Sequence, residues 1–150
     1  AAMRGTWFCL TRDLSLGGLY ATLLEGVALE YRLYVNALRA LYPEVEFSEM
    51  RVTGGGETSP FWNQLKATAC NLSITRVAGS RGAPMGSAIV AGCAAGLWDN
   101  PKVPAKEWLS FEQAATPQKE KADLYERRFK SYTDALRFAS EYARRIREEV

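Results

Sequence analysis

The chain contains no histidine among its 150 residues. That absence removes Ser-His-Asp and Cys-His nucleophile machinery and the imidazole ligands on which most catalytic zinc and iron sites depend. Cysteine is scarce as well: Cys9, Cys70 and Cys93 form an odd set without Cys-x-x-Cys spacing. Each stands beside apolar neighbours, so all three are expected as reduced core thiols rather than as a disulfide framework. No apolar run is long enough to span a bilayer, since the longest, Ala83 to Trp98, falls short of the roughly 20 residues required. Residues 1–15 carry Arg4, Arg12 and Asp13 where a signal peptide has an apolar centre. Charge of one sign is not in excess either: 19 basic against 17 acidic residues leave +2, too little for a whole-chain attraction to nucleic acid or anionic lipid. A soluble, cytoplasmic protein with neither a nucleic-acid nor a membrane partner is expected.

The composition present, 47% apolar and 24% charged, is that of an ordered globular domain. Leu19, Leu23, Val27, Tyr31, Tyr34, Leu38 and Leu41 recur at steps of three and four, which predicts a helix over Leu16–Tyr42 with these residues as its apolar stripe. Ser15 and Gly17-Gly18 mark its start, and Pro43 ends it. Gly26, a defect worth about 1 kcal/mol in a helix interior, calls for a close backbone contact on its face. Glu49–Thr53 reads as a strand, Ser59-Pro60 as a cap and first turn of the next helix, and Leu72–Val77 as a second strand. Gly79–Pro84 reads as a turn, followed over Met85–Leu97 by a helix of small residues expected to lie flat against a sheet or another helix, with Gly96 as its terminator.

Three prolines mark residues 99–117 as an irregular connector anchored by Trp108 and Phe111. Residues 118–150 read as one terminal helix with Tyr125, Phe129, Tyr132 and Leu136 on its apolar side. This order implies an α/β fold, helix-rich, with few parallel strands joined by crossover helices. Two parallel strands cannot shield themselves. A third is therefore expected, either near Gly5–Leu10 or, as favoured here, outside this sequence; exposed sheet edges would then promote self-association into a homo-oligomer.

Chemistry concentrates in Val52-Thr53-Gly54-Gly55-Gly56-Glu57-Thr58-Ser59-Pro60-Phe61-Trp62. A strand that enters three glycines and then a helix exposes main-chain N–H groups at the positive helix end, where an anionic ligand can touch the backbone. Taken alone, the glycines fit a tight strand-to-helix turn better than a ligand seat. The loop is neither a Walker loop nor a Rossmann fingerprint.

Three blocks in order give more. Gly5-Thr6-Trp7-Phe8-Cys9-Leu10-Thr11 with Leu23-Leu24-Glu25-Gly26-Val27-Ala28, then Val52 to Gly56 with Ser59-Pro60 and Trp62, then Gly86-Ser87-Ala88 through Gly92 to Gly96-Leu97, resemble the C-terminal domain of the FGGY carbohydrate kinases. The middle block resembles that family's GGGAKSPLW loop and is closer to xylulokinases than to glycerol kinases. The resemblance implies the C-terminal part of an actin-like, ribonuclease-H-like ATPase domain that binds ATP with Mg²⁺, in a parent enzyme that phosphorylates a small sugar, xylulose first. It assigns Gly54, Gly55, Gly56 and Ser59 to the nucleotide, the glycines through backbone packing and Ser59 chiefly as a helix cap. It places neither catalytic residues nor metal ligands in this chain.

The sugar and its catalytic base would belong to an N-terminal domain. The 150 residues are therefore expected to be an inactive piece of a longer enzyme. Glu57 departs from the family's small residue at that position and would repel phosphate unless it turns to solvent or pairs with a cation such as Lys66. The stretch 80–85 lacks the family's Glu-Ala pair. Two other readings fit the residues: an actin-like ATPase that is not a kinase, and a helical interaction module built on the basic terminal helix. A bulky residue at Gly56 is expected to weaken nucleotide binding with the fold nearly intact.

Overall fold

The structure, a computed structural model, describes residues 5–78 and 82–148. Gly79, Ser80 and Arg81 of the expected turn lie outside the described residues. The long first helix is α1, Leu16–Leu41, capped by the Ser15 hydroxyl, which accepts from Gly18 N–H. Strand β1, Glu49–Val52, leads through a short 3-10 turn, Gly55–Thr58, into α2, Pro60–Cys70. Strand β2, Ser73–Ala78, follows, and helix α3, Ala83–Ala94, begins just beyond it.

The sheet has three strands in the order β1-β2-β3, with β1 and β2 parallel and in register from Glu49 opposite Ser73 to Val52 opposite Arg76. A third strand lies within the chain, away from the Gly5–Leu10 stretch. It is β3, Ser110–Ala115, antiparallel to β2 and bulged at its far end. Residues 99–117, expected as an irregular connector, thus hold a strand and also a helix, α4, Lys102–Trp108. Prolines misled the reading for a physical reason. Pro101 caps α4 and Pro104 lies in its first turn, where a missing N–H breaks no intrahelical bond. The strand's own sequence, Ser-Phe-Glu-Gln-Ala-Ala, has little β-branched content, so its pairing is set by tertiary context rather than propensity.

Helix α2 is the centre of the molecule. Its small residues Ala67, Ala69 and Cys70 are almost wholly buried, and they let it sit close to both its neighbours. One side meets Ile74 and Ala115 of the sheet, and another meets Ala28 and Leu29 of α1 together with Tyr125. Tyr125 belongs to α5, Ala122–Glu148. Arg32 of α1 ties α5 down by donating to the Tyr125 carbonyl at 3.2 Å, pairing with Glu126, and lying over the Phe129 ring at 4.5 Å. Thr68 of α2 accepts from the Gln118 N–H at 3.4 Å, and Gln64 donates to the Thr116 carbonyl at 2.7 Å, which holds the turn into α5.

Several expectations change here. The residues buried on α1 are Leu24, Ala28, Leu29 and Val35, whereas Leu23, Tyr31, Tyr34, Leu38 and Leu41 of the expected stripe remain exposed. Gly26 meets no close contact, because a Cβ there would find open space. Helix α3 buries only Ile89 and Gly92 and leaves most of its small-residue surface open. Cys70 is buried as expected, but Cys9 is exposed. Gly96 does terminate α3: at φ 76° it donates to the Cys93 carbonyl while Leu97 donates to that of Gly92, the paired closure of a Schellman end.

Candidate functional site

Parallel strands present their carboxyl ends side by side, and in open α/β sheets that edge is where ligands sit. At this end β1 runs into Gly54, which has φ 93°, and the chain beyond β2 re-enters the described structure at Gly82, with φ 67°. Both angles are costly for any residue with a Cβ. The two backbones lie against each other, since a Cβ placed on Gly82 would stand 3.8 Å from the Gly54 Cα. A Cβ on Gly54 or Gly55 would meet nothing within 4 Å. The result is a seam of bare main chain between two helix starts.

Both helices point their positive ends at this seam. On α2, Pro60 opens the first turn and the Ser59 hydroxyl accepts from the Trp62 N–H at 3.3 Å, so Ser59 is engaged as a helix cap. On α3 the cap position is Gly82, which has no side chain of its own with which to cap that end. Such a surface can take a phosphate on N–H groups or a planar base against glycine. Gly82 is the residue that sequence reasoning missed; the available signal was a glycine directly before the Ala83-Pro84 helix start.

Gly56 differs from its two neighbours. A Cβ there would come within 2.2 Å of Cζ3 and 2.7 Å of Cε3 of Trp62. The indole already occupies the space a side chain would take, so a bulky residue at Gly56 must displace Trp62, contrary to the expected intact fold.

Glu57 also has a definite place. It lines a cavity of about 560 Å³ between α1, β1 and the start of α2, a cavity whose walls include neither Gly54, Gly55 nor Gly82. Of the two alternatives for Glu57, solvent or a cation such as Lys66, the ion pair with Lys66 is not formed. Lys66 lines the same cavity, 3% exposed, with its Nζ 4.6 Å from the centre of the Trp62 ring. Among the described residues, no three or more His, Cys, Asp or Glu side chains are grouped to hold a metal ion.

The profile of the C-terminal domain of the FGGY family of carbohydrate kinases matches residues 1–95. The chain belongs to this family. A xylulose kinase of Staphylococcus epidermidis is 26% identical over 132 residues, which cover 88% of this chain and 26% of that protein. A glycerol kinase of Psychromonas ingrahamii is 30% identical over 121 residues, 79% of this chain and 24% of that protein. The FGGY chain therefore spans about a quarter of the length of the curated relatives it matches. Among solved structures, the xylulose kinase from Rhodospirillum rubrum superposes with a TM-score of 0.70 at 23% identity, covering 95% of this chain and 28% of its own. The gluconate kinase from Lactobacillus acidophilus gives 0.71 at 21% identity, covering 96% and 29%. The fold is thus the actin-like, ribonuclease-H-like one, represented here by a helix-rich portion with a small mixed sheet. Among the described residues, no helix of the FGGY chain is long and apolar enough to cross a membrane.

Proposed function

We propose that this FGGY chain is the nucleotide-side portion of an ATP-dependent carbohydrate kinase whose acceptor is a sugar hydroxyl, with xylulose the first candidate. The observation that carries the reading is the Gly54–Gly82 seam at the carboxyl ends of β1 and β2, set between the starts of α2 and α3. Gly54 and Gly55 offer main chain with open space above it, against which the adenosine of ATP would lie. Gly56 contributes through its backbone alone, and Ser59 keeps α2 in place by capping it. Mg²⁺ enters on the triphosphate, and among the described residues no group of three or more carboxylates stands ready to hold it. The xylulose assignment is supported by the Staphylococcus relative, although glycerol kinases match nearly as well. Domain organisation follows the same lines: residues 1–150 form part of the nucleotide-binding domain, and the sugar site with its catalytic base lies elsewhere in the parent, so the isolated chain transfers no phosphate.

The test is titration of MgATP into the isotope-labelled chain. Amide shifts confined to residues 53–56 and 82–85 are expected, and Gly54→Val should weaken binding tenfold or more while Gly26→Ala, at an open helix position, changes nothing. Saturation without shifts at those residues would remove the seam from the nucleotide site. The acceptor is read separately, as ADP release from a longer polypeptide carrying this chain, with xylulose, glycerol and gluconate compared.

A further inference from the structure

Gly26 stands inside a 26-residue helix, where glycine costs about 1 kcal/mol against alanine, and a Cβ added to it would meet nothing within 4 Å. What it faces is a cavity. Gly26 lines a space of about 420 Å³ bounded by residues 5–8, α1 and α5. The α5 wall is small as well, with Ala135 and Ala139 on the lining. A larger side chain at Gly26 would grow into this space, so the glycine keeps it open. The two helices are tied together beside it: Arg32 and Arg128 pair with Glu126 and Glu25 across the α1–α5 contact, and Arg32 also lies over the Phe129 ring.

The lining has one kind of charge and one kind of surface. Trp7, Phe8 and Tyr132 bring aromatic rings to it, and Val27 and Leu136 bring aliphatic surface. Glu30 is its single carboxylate, and neither lysine nor arginine shares the lining among the described residues. Glu30 Oε1 accepts from the Tyr34 hydroxyl, but the carboxylate forms no ion pair with any described residue. The Tyr132 phenol, raised above its ordinary value by burial and by the charge of Glu30, keeps its proton at neutral pH. The cavity therefore carries one uncompensated negative charge among aromatic rings. A nucleotide or any other anion would meet Glu30 with like charge, and a neutral apolar molecule would leave that charge unmatched. An organic cation satisfies both parts, because an ammonium is attracted by a carboxylate and by aromatic faces while its hydrocarbon body takes the apolar walls.

We propose that the cavity between α1 and α5 binds a small organic monocation, an amine carried on an aromatic ring, whose ammonium pairs with Glu30 and whose ring lies among Trp7, Phe8 and Tyr132 over the bare main chain of Gly26. This site shares no residue with the Gly54–Gly82 seam, so it stands whether or not the seam takes ATP.

The probe is phenethylamine, compared with its neutral counterpart phenethyl alcohol, each titrated into the isotope-labelled 150-residue chain. Saturable amide shifts at residues 22–30 and 132–139 are expected, with the amine binding about tenfold more tightly than the alcohol. Glu30→Gln should bring the two compounds to equal affinity. Gly26→Leu, which fills the cavity from an open helix position, should abolish binding of both and leave the circular dichroism spectrum unchanged. Should Gly26→Leu not fold, the two compounds on the unmodified chain and on Glu30→Gln still decide. Equal affinities on the unmodified chain, a preference for the amine that persists in Glu30→Gln, undiminished binding in folded Gly26→Leu, or shifts that do not saturate would each overturn the proposal. So would loss of amine binding in a longer polypeptide that carries this chain, because the parent's own residues would then fill the cavity.

Discussion

Gly56→Ala adds one methyl group at a point where the structure has no room for it. The new Cβ would stand 2.2 Å from Cζ3 and 2.7 Å from Cε3 of Trp62, against the roughly 3.5–4.0 Å at which carbons rest. Relief of more than an ångström is required. The indole cannot swing away freely, because its own main chain is held by the Ser59 cap and Lys66 rests on its ring. Overpacking of this kind costs about 1–3 kcal/mol, and in a chain of this size each kcal/mol lowers the Tm by roughly 2–4 °C. The comparison is Gly55→Ala, one residue away in the same 3-10 turn, with open space and no positive φ. That variant should be neutral or slightly stabilising. Urea unfolding followed by circular dichroism measures both, and Trp62→Leu should abolish the difference by removing the ring. If Gly56→Ala unfolds at the same urea concentration as Gly55→Ala, the indole is not where the argument puts it.

Gly92→Ala should destabilise the chain in the same way, since its Cβ would come within 2.1 Å of the Trp98 ring; a Tm unchanged from the parent's would contradict this. Ser59→Ala removes the α2 cap and is expected to cost about 1 kcal/mol in the same urea experiment, with Ser59→Gly recovering most of it. Burial pushes the Cys70 thiol from 9.0 up to about 11, so both folded and unfolded chains keep its proton below pH 9. Above that pH the unfolded chain ionises first, and stability on the order of 2–3 kcal/mol is lost as pH rises from 9 towards 11. Cys70→Ala should flatten this alkaline slope, while Tyr125, pushed up to about 12, keeps some of it; parallel slopes in both proteins would sink the assignment.

The parts of the fold legible in the sequence were those governed by local rules. Ser15, Ser59-Pro60 and Gly96 mark helix ends because capping and positive φ depend on few residues, and the structure puts each where those rules require. What failed depended on distant partners. The apolar stripe of α1 is legible in the sequence, but the exposure of much of it is not, since periodicity reports which face favours burial and not whether a partner is present. β3 was invisible because its strand character is conferred by β2. Within the glycine loop, Gly54 and Gly55 stand open as expected of a ligand seat, whereas Gly82 joins them only through a contact no linear pattern displays.

Gly56 and Gly92 show why a glycine motif underdetermines its own purpose. Both come six residues before a tryptophan, and in both the indole lies over the bare Cα. At Gly56 the ring closes the loop onto the first turn of α2; at Gly92 it folds the exit from α3 back on that helix, and Trp98 then meets Trp108 of α4 edge to face, with centroids 5.2 Å apart. The missing side chain makes room for packing in these two places and leaves room for a ligand at Gly54 and Gly55. Conversion of an open glycine should therefore alter binding with little effect on folding where φ allows it, and conversion of a covered one should alter folding first. Because Gly55 and Gly56 are adjacent and share a turn, the pair separates the two roles with the backbone conformation held nearly constant.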